Sequence, residues 1–195
     1  MVSISGGHVD PHLRRWMLFV DGENLAIEGQ KLSEEKGIKL ADGPYYWNEV
    51  FLWFPNRKAT ERFAEGHLRL QEQAIRAFYY TSVVGNEERQ GQVEERLWKL
   101  GFNPEVFKKP KDGDAKGVDI SLTKDMLSHA FRDHYDVAVL IAGDGDYVPL
   151  VKEVKSLGKV VYVGFFERKG LSPKLRLAAD RFTDITQIFR QSWQT

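Results

Sequence analysis

The sequence predicts an α/β fold: a central parallel sheet with helices on both faces, three layers in all. Three observations predict it. Short apolar runs such as WMLFV and VAVLIAG alternate along the chain with amphipathic segments. Those runs are nearly continuous in apolar residues, as strands covered on both faces must be. The 195 residues also suffice for one full-sized core and fall short of two domains with linkers.

Strands are predicted at Trp16 to Val20, Ile75 to Tyr80, Asn103 to Phe107, Val137 to Ile141 and Val160 to Phe165. Asn86 to Leu100 reads as a helix, because Val93, Leu97 and Leu100 recur at helical spacing and Gly101 stops it. Val118 to Phe131 is a second, with Ile120, Leu122, Met126, Leu127 and Phe131 forming its apolar stripe. Asp146 to Leu157 is a third, ended by Gly158, and Ser172 is placed to cap a fourth with Pro173 at its first position. Residues 30 to 73 break the rhythm. They hold Tyr45, Tyr46, Trp47, Phe51, Trp53 and Phe54, followed after Pro55 by a charged stretch of helical character. We read them as an aromatic-rich insertion packed on the core of a single domain spanning 1–195. There is no internal repeat.

Lys plus Arg is 28 and Asp plus Glu is 28, so no global field draws the chain to nucleic acid or anionic lipid. Any polyanion binding must be local. The absence of cysteine excludes disulfides, iron–sulfur clusters and thiolate zinc sites. No apolar run approaches membrane-spanning length, and the first residues lack an apolar signal region, so a cytoplasmic protein without membrane contact is expected. The five histidines show no metal-ligand spacing, and no Walker A or GxGxxG string occurs. A calcium-loop resemblance from Asp112 fails at Lys116 and Thr123.

What remains is a set of acids. WMLFV runs directly into Asp21, and VAVLIAG runs into Asp144, Gly145 and Asp146. In open parallel sheets the ligand crevice lies beyond the carboxyl ends of the strands, where strand order reverses. If the first and fourth strands are neighbours there, Asp21, Asp144 and Asp146 converge. Asp119 starts the second helix, and Asp125 lies farther along it with a less favourable angular offset. Packed carboxylates repel unless a cation compensates. Oxygen-only ligands favour Mg²⁺ or Mn²⁺ over zinc. The plainer alternative makes the same aspartates helix caps and turn residues.

The stretches FVDGENL (19 to 25), KGVDISLTKDML (116 to 127) and AGDGDYVPLVKEVKSLGK (142 to 159), followed by LSPKLRLAADRFTDI (171 to 185), resemble the NYN domain family of PIN-like nucleases, in its LabA/DUF88 branch. The resemblance covers residues 16 to about 187 and leaves out the insertion. It implies a PIN-like fold with strand order 3-2-1-4-5 and a metal-dependent ribonuclease site. Asp21, Asp119, Asp144 and Asp146 fall on the family's acids, and Asn24 on its polar residue after the first strand. One residue departs from the pattern: Ala142 stands where the family commonly has Ser.

Lys108, Lys109, Lys111 and Lys116 flank the end of the third strand, and Arg168, Lys169, Lys174 and Arg176 follow the fifth. Both groups fall on the sheet edge that carries the acids, where a phosphate backbone would lie. Lys111, Lys116 and Lys174, with Asn24, are the candidate substrate contacts. The expected activity is endonucleolytic hydrolysis of single-stranded RNA by water activated by Mg²⁺ or Mn²⁺. The alternative is a catalytically weak RNA-binding or assembly module that keeps the acidic pocket. A small-molecule phosphohydrolase would need a closed pocket instead of an open basic groove. The sequence does not separate a monomer from a homodimer.

Overall fold

The computed structural model describes residues 14–37, 46–47, 50–51, 74–110 and 117–186. In chain order the elements are β1 (Trp16–Asp21), α1 (Gly22–Glu35), β2 (Tyr46–Trp47), β3 (Val50–Phe51), β4 (Ala74–Val84), α2 (Glu87–Lys99), β5 (Asn103–Lys109) and α3 (Val118–Phe131). They continue with β6 (Val137–Ile141), a 3₁₀ turn at Gly145–Tyr147, α4 (Val148–Ser156), β7 (Val160–Phe165), α5 (Pro173–Ala178) and β8 (Arg181–Asp184).

All six residues of β1 are buried, and the strand pairs in parallel with β4 on one side and β6 on the other. Six parallel strands result, in the order β5-β4-β1-β6-β7-β8. Numbered within this sheet alone, that order is 3-2-1-4-5-6: the predicted order with a sixth strand added at one edge. Strand order therefore reverses between β1 and β6, the place where the expected acids are attached.

Successive strand residues point to opposite faces. Trp16, Leu18 and Val20 join Tyr79 and Val83 in a core beneath α1 and α2, which contribute Leu25, Leu32, Val93 and Leu97. Met17 and Phe19 join Tyr80 and Leu140 in a second core beneath α3 and α4, which contribute Leu122, Met126, Val151 and Val154. Continuing that alternation, Asp21 falls on the α3 and α4 face.

The predicted helices form close to their expected bounds. Asn86 caps α2 by accepting from the Arg89 amide at 3.0 Å, and α3 covers Val118–Phe131 as expected. The third predicted helix begins as the 3₁₀ turn, and α4 follows it. Helix α1 is unpredicted, and it carries regular structure past residue 30, the expected start of the insertion. Within the insertion β2 and β3 form a two-stranded antiparallel sheet, and β3 lies beside α1. The charged stretch after Pro55 lies outside the described residues. Among the described residues no helix is long and apolar enough to cross a membrane.

Arg15 closes the amino-end edge of the sheet. Its amide, Nε and Nη2 all donate to the Asp136 carboxylate, at 2.8, 3.3 and 2.9 Å. These bonds hold the Asp136 carboxyl below its usual range. A depressed folded-state pKa adds stability that is present above the unfolded carboxylate pKa and is lost as pH falls through the folded one. Both side chains are roughly a third exposed, so solvent screening limits the contribution to about 1 kcal/mol. Asp136→Asn should therefore be less stable than wild type at pH 7, and urea melts should show the gap closing toward pH 3. A gap independent of pH would mean that charge plays no part in this contact.

Candidate active site

The site forms where β1 and β6 end. Asp21 is the last residue of β1 and caps α1, its Oδ1 accepting from the Asn24 amide at 2.9 Å. Its other oxygen, Oδ2, accepts from the Tyr147 hydroxyl at 2.9 Å. The same hydroxyl lies 2.8 Å from Oδ1 of Asp119, in the first turn of α3. A phenol carries one hydrogen, so it can donate to one carboxylate at a time. Two acids from separate elements thus meet at a single donor.

Burial sets the electrostatics. Asp21 is 2% exposed, and desolvation pushes its carboxyl up to about 7. The bonds from Asn24 and Tyr147 lower it less than burial raises it, and the charges of Asp119 and Glu23 raise it further. The Tyr147 phenol is raised as well, first by burial and then by both carboxylates, so it remains protonated.

Asp144 and Asp146 lie on the neighbouring 3₁₀ turn, both exposed. Asp144 caps the turn by accepting from the Asp146 amide at 3.0 Å. Asn24 connects the two halves of the site: its Oδ1 accepts from the Gly143 amide at 2.8 Å, joining α1 to the loop after β6. The carbonyl of Gly143 in turn accepts from the Ser172 amide at 2.8 Å, which fixes the start of α5.

The structure therefore brings Asp21 and Asp119 together and sets Asp144 and Asp146 on the adjacent turn. Among the described residues no three acidic or histidine side chains form a ready-made cage for one ion. Two of the aspartates are helix caps as well, so the plainer reading of those residues also holds. Asp125 instead accepts from Tyr80 at 3.0 Å, farther down α3. Ala142 is completely buried in the core beneath α3 and α4, so its missing hydroxyl is absent from the interior and not from the solvent-facing mouth. Lys174 is exposed in the first turn of α5. Lys109 is paired with Glu23 at 2.6 Å, Arg176 with Glu167 at 2.6 Å, and Lys169 with Glu35. Lys111 and Lys116 lie outside the described residues.

Tyr147 was not singled out in the sequence. Its position directly after the acids in DGDY is the available signal, but an aromatic at the start of a helix reads first as core. At 2% exposed it is core as well as a partner of the acids.

A six-stranded parallel sheet in the order 3-2-1-4-5-6, flanked by helices and with acids at its topological switch point, is a PIN-like α/β fold. The NYN domain model matches residues 15–186, and the chain belongs to the NYN domain family. It is similar to a solved protein of unknown function from Vibrio parahaemolyticus RIMD 2210633, with 25% identity, coverage of 92% of this chain and 98% of that one, and a TM-score of 0.61. No curated protein matches it.

Proposed function

We propose that the chain is a metal-dependent ribonuclease of the LabA/DUF88 branch, hydrolysing single-stranded RNA endonucleolytically with Mg²⁺ or Mn²⁺. The observation that carries this reading is the meeting of Asp21 and Asp119 at the one hydroxyl of Tyr147.

The donor set fits a hydrated cation. Mg²⁺ keeps several waters and is commonly held by one or two carboxylates, so a complete protein cage is not required. Asp21 and Asp119 would hold the ion, with Asp144 and Asp146 reaching it directly or through water. A divalent cation bound there would supply Lewis acidity, lowering the pKa of a coordinated water and offsetting the charge of the scissile phosphate. The chain's own residues do the remaining work. Tyr147 orients the two carboxylates and keeps water from the buried side of Asp21. Exposed Asp144 would receive the proton of the attacking water. Lys174, with Lys111 and Lys116, would neutralise backbone phosphates, and the side-chain nitrogen of Asn24 would donate to a substrate oxygen. Hydrolysis by this route leaves a 5′-phosphate and a 3′-hydroxyl. A second reading, a catalytically weak RNA-binding module, rests on the departure at Ala142, which directly precedes Gly143, the partner of Asn24.

The ion itself is tested by melting. A ligand bound only by the native state raises stability by mass action, by about 2.7 kcal/mol at a hundredfold excess over Kd. Saturating Mn²⁺ should raise the Tm of wild type and leave that of Asp21→Asn unmoved. Asp21→Asn should also melt higher than wild type in EDTA, since a buried carboxylate has been neutralised. A wild-type Tm indifferent to Mn²⁺ would remove the metal from the account.

A further inference from the structure

Between α1 and the carboxyl ends of β4 and β5 lies a cavity of about 180 Å³. Ala26 and Ile27 give it an apolar wall, while Glu23, Gln30, Thr81 and Lys109 give it polar edges. Thr81 is 1% exposed, and its hydroxyl has no hydrogen-bond partner among the described residues. Buried polar groups in native proteins are nearly always paired, and leaving one unpaired costs stability. The alternation of β4, with Ala77, Tyr79 and Val83 in the core beneath α1 and α2, puts the Thr81 side chain on the cavity's side of the sheet. Glu23 and Lys109 are joined by an ion pair of 2.6 Å, and Ile27 is 39% exposed.

We propose that this cavity receives a single nucleobase of the RNA strand next to the cleaved phosphate. The choice of ligand rests on the ribonuclease reading. The volume is below the roughly 300–1,000 Å³ of pockets for drug-sized molecules, and it suits one ring system. A flat ring with a polar edge matches an apolar wall bordered by an amide, a hydroxyl and a charged pair. Glutamine pairs readily with base edges, and unstacked RNA bases are commonly read in this way. Position supports the same occupant. Glu23 borders the cavity two residues after Asp21 along the chain, at the same carboxyl edge of the sheet as the acids.

The test uses the full chain in EDTA, with the four ribonucleosides titrated singly and followed by ligand-observed NMR. One nucleoside should bind better than the others. Thr81→Val should raise the Tm, because the unpaired hydroxyl is gone, and should weaken that nucleoside about 2–10-fold, the worth of one hydrogen bond. Gln30→Ala should flatten the preference among bases. A single-stranded oligonucleotide of the preferred base should bind more tightly than the free nucleoside monophosphate. Equal binding of all four nucleosides, no binding, or affinities unchanged in both variants would overturn the proposal. Tighter binding of the free nucleotide than of the oligonucleotide would overturn delivery by the strand. Neither metal nor cleavage enters this assay, so a wild type that cuts no RNA would remove the nuclease reading without deciding the outcome here.

Discussion

Asp144→Asn should lower Mn²⁺-dependent cleavage of single-stranded RNA by roughly 10³-fold or more while leaving the fold intact. Asparagine keeps the oxygen that caps the 3₁₀ turn, where Asp144 now accepts from the Asp146 amide at 3.0 Å. Because the residue is exposed, the stability change should stay within about 0.5 kcal/mol. On the proposed reading, what is lost is an anionic ligand and proton acceptor. RNA affinity measured in EDTA should hold or rise, since one negative charge has left the phosphate path. A variant that cuts at the wild-type rate would exclude Asp144 from the chemistry.

Gly143→Ala should produce the largest loss of stability. A Cβ there would lie 2.3 Å from the carbonyl oxygen of Gly170 and 2.4 Å from the Phe165 ring. Neither backbone nor buried ring can move away cheaply, and overpacking of this kind costs about 1–3 kcal/mol or more. Chemical denaturation should show that loss. Cleavage should fall with it, because Gly143 bonds to both Asn24 and Ser172 and precedes Asp144. Gly158→Ala is the contrast. Its φ of +77° disfavours any side chain, but no atom lies within 4 Å, so about 1 kcal/mol should be lost with cleavage unchanged. Equal stability losses at the two positions, with cleavage unaffected at both, would show that the Gly143 contacts do not organise the site.

The plainest parts of the fold in the sequence are those with uniform or one-sided burial. VAVLI in β6 is buried at every position, and α3 keeps Leu122, Met126 and Ala130 on one inward face. Helix α1 escaped because its buried face includes Gly22, Glu28, Gly29 and Ser33, which dilute the apolar spacing that marks a helix. Strand β8 escaped because RFTD sits at the sheet edge with no fully buried residue. β4 runs four residues beyond Tyr80, the predicted end, and there Thr81 and Ser82 are buried hydroxyls within what reads as a polar turn. The acids were legible because strand-terminal aspartates mark the carboxyl edge of a parallel sheet. Their link through Tyr147 was not, because it depends on α3 and the 3₁₀ turn packing together across 28 residues of sequence.

The most direct measurement is cleavage of an end-labelled single-stranded RNA by the wild-type chain in Mg²⁺, in Mn²⁺ and in EDTA, with the product ends identified. The account predicts internal cuts leaving 5′-phosphate and 3′-hydroxyl ends, abolished by EDTA and restored by added Mn²⁺. Cleavage that persists in EDTA, or tight RNA binding without cleavage in either metal at any RNA length, would contradict it.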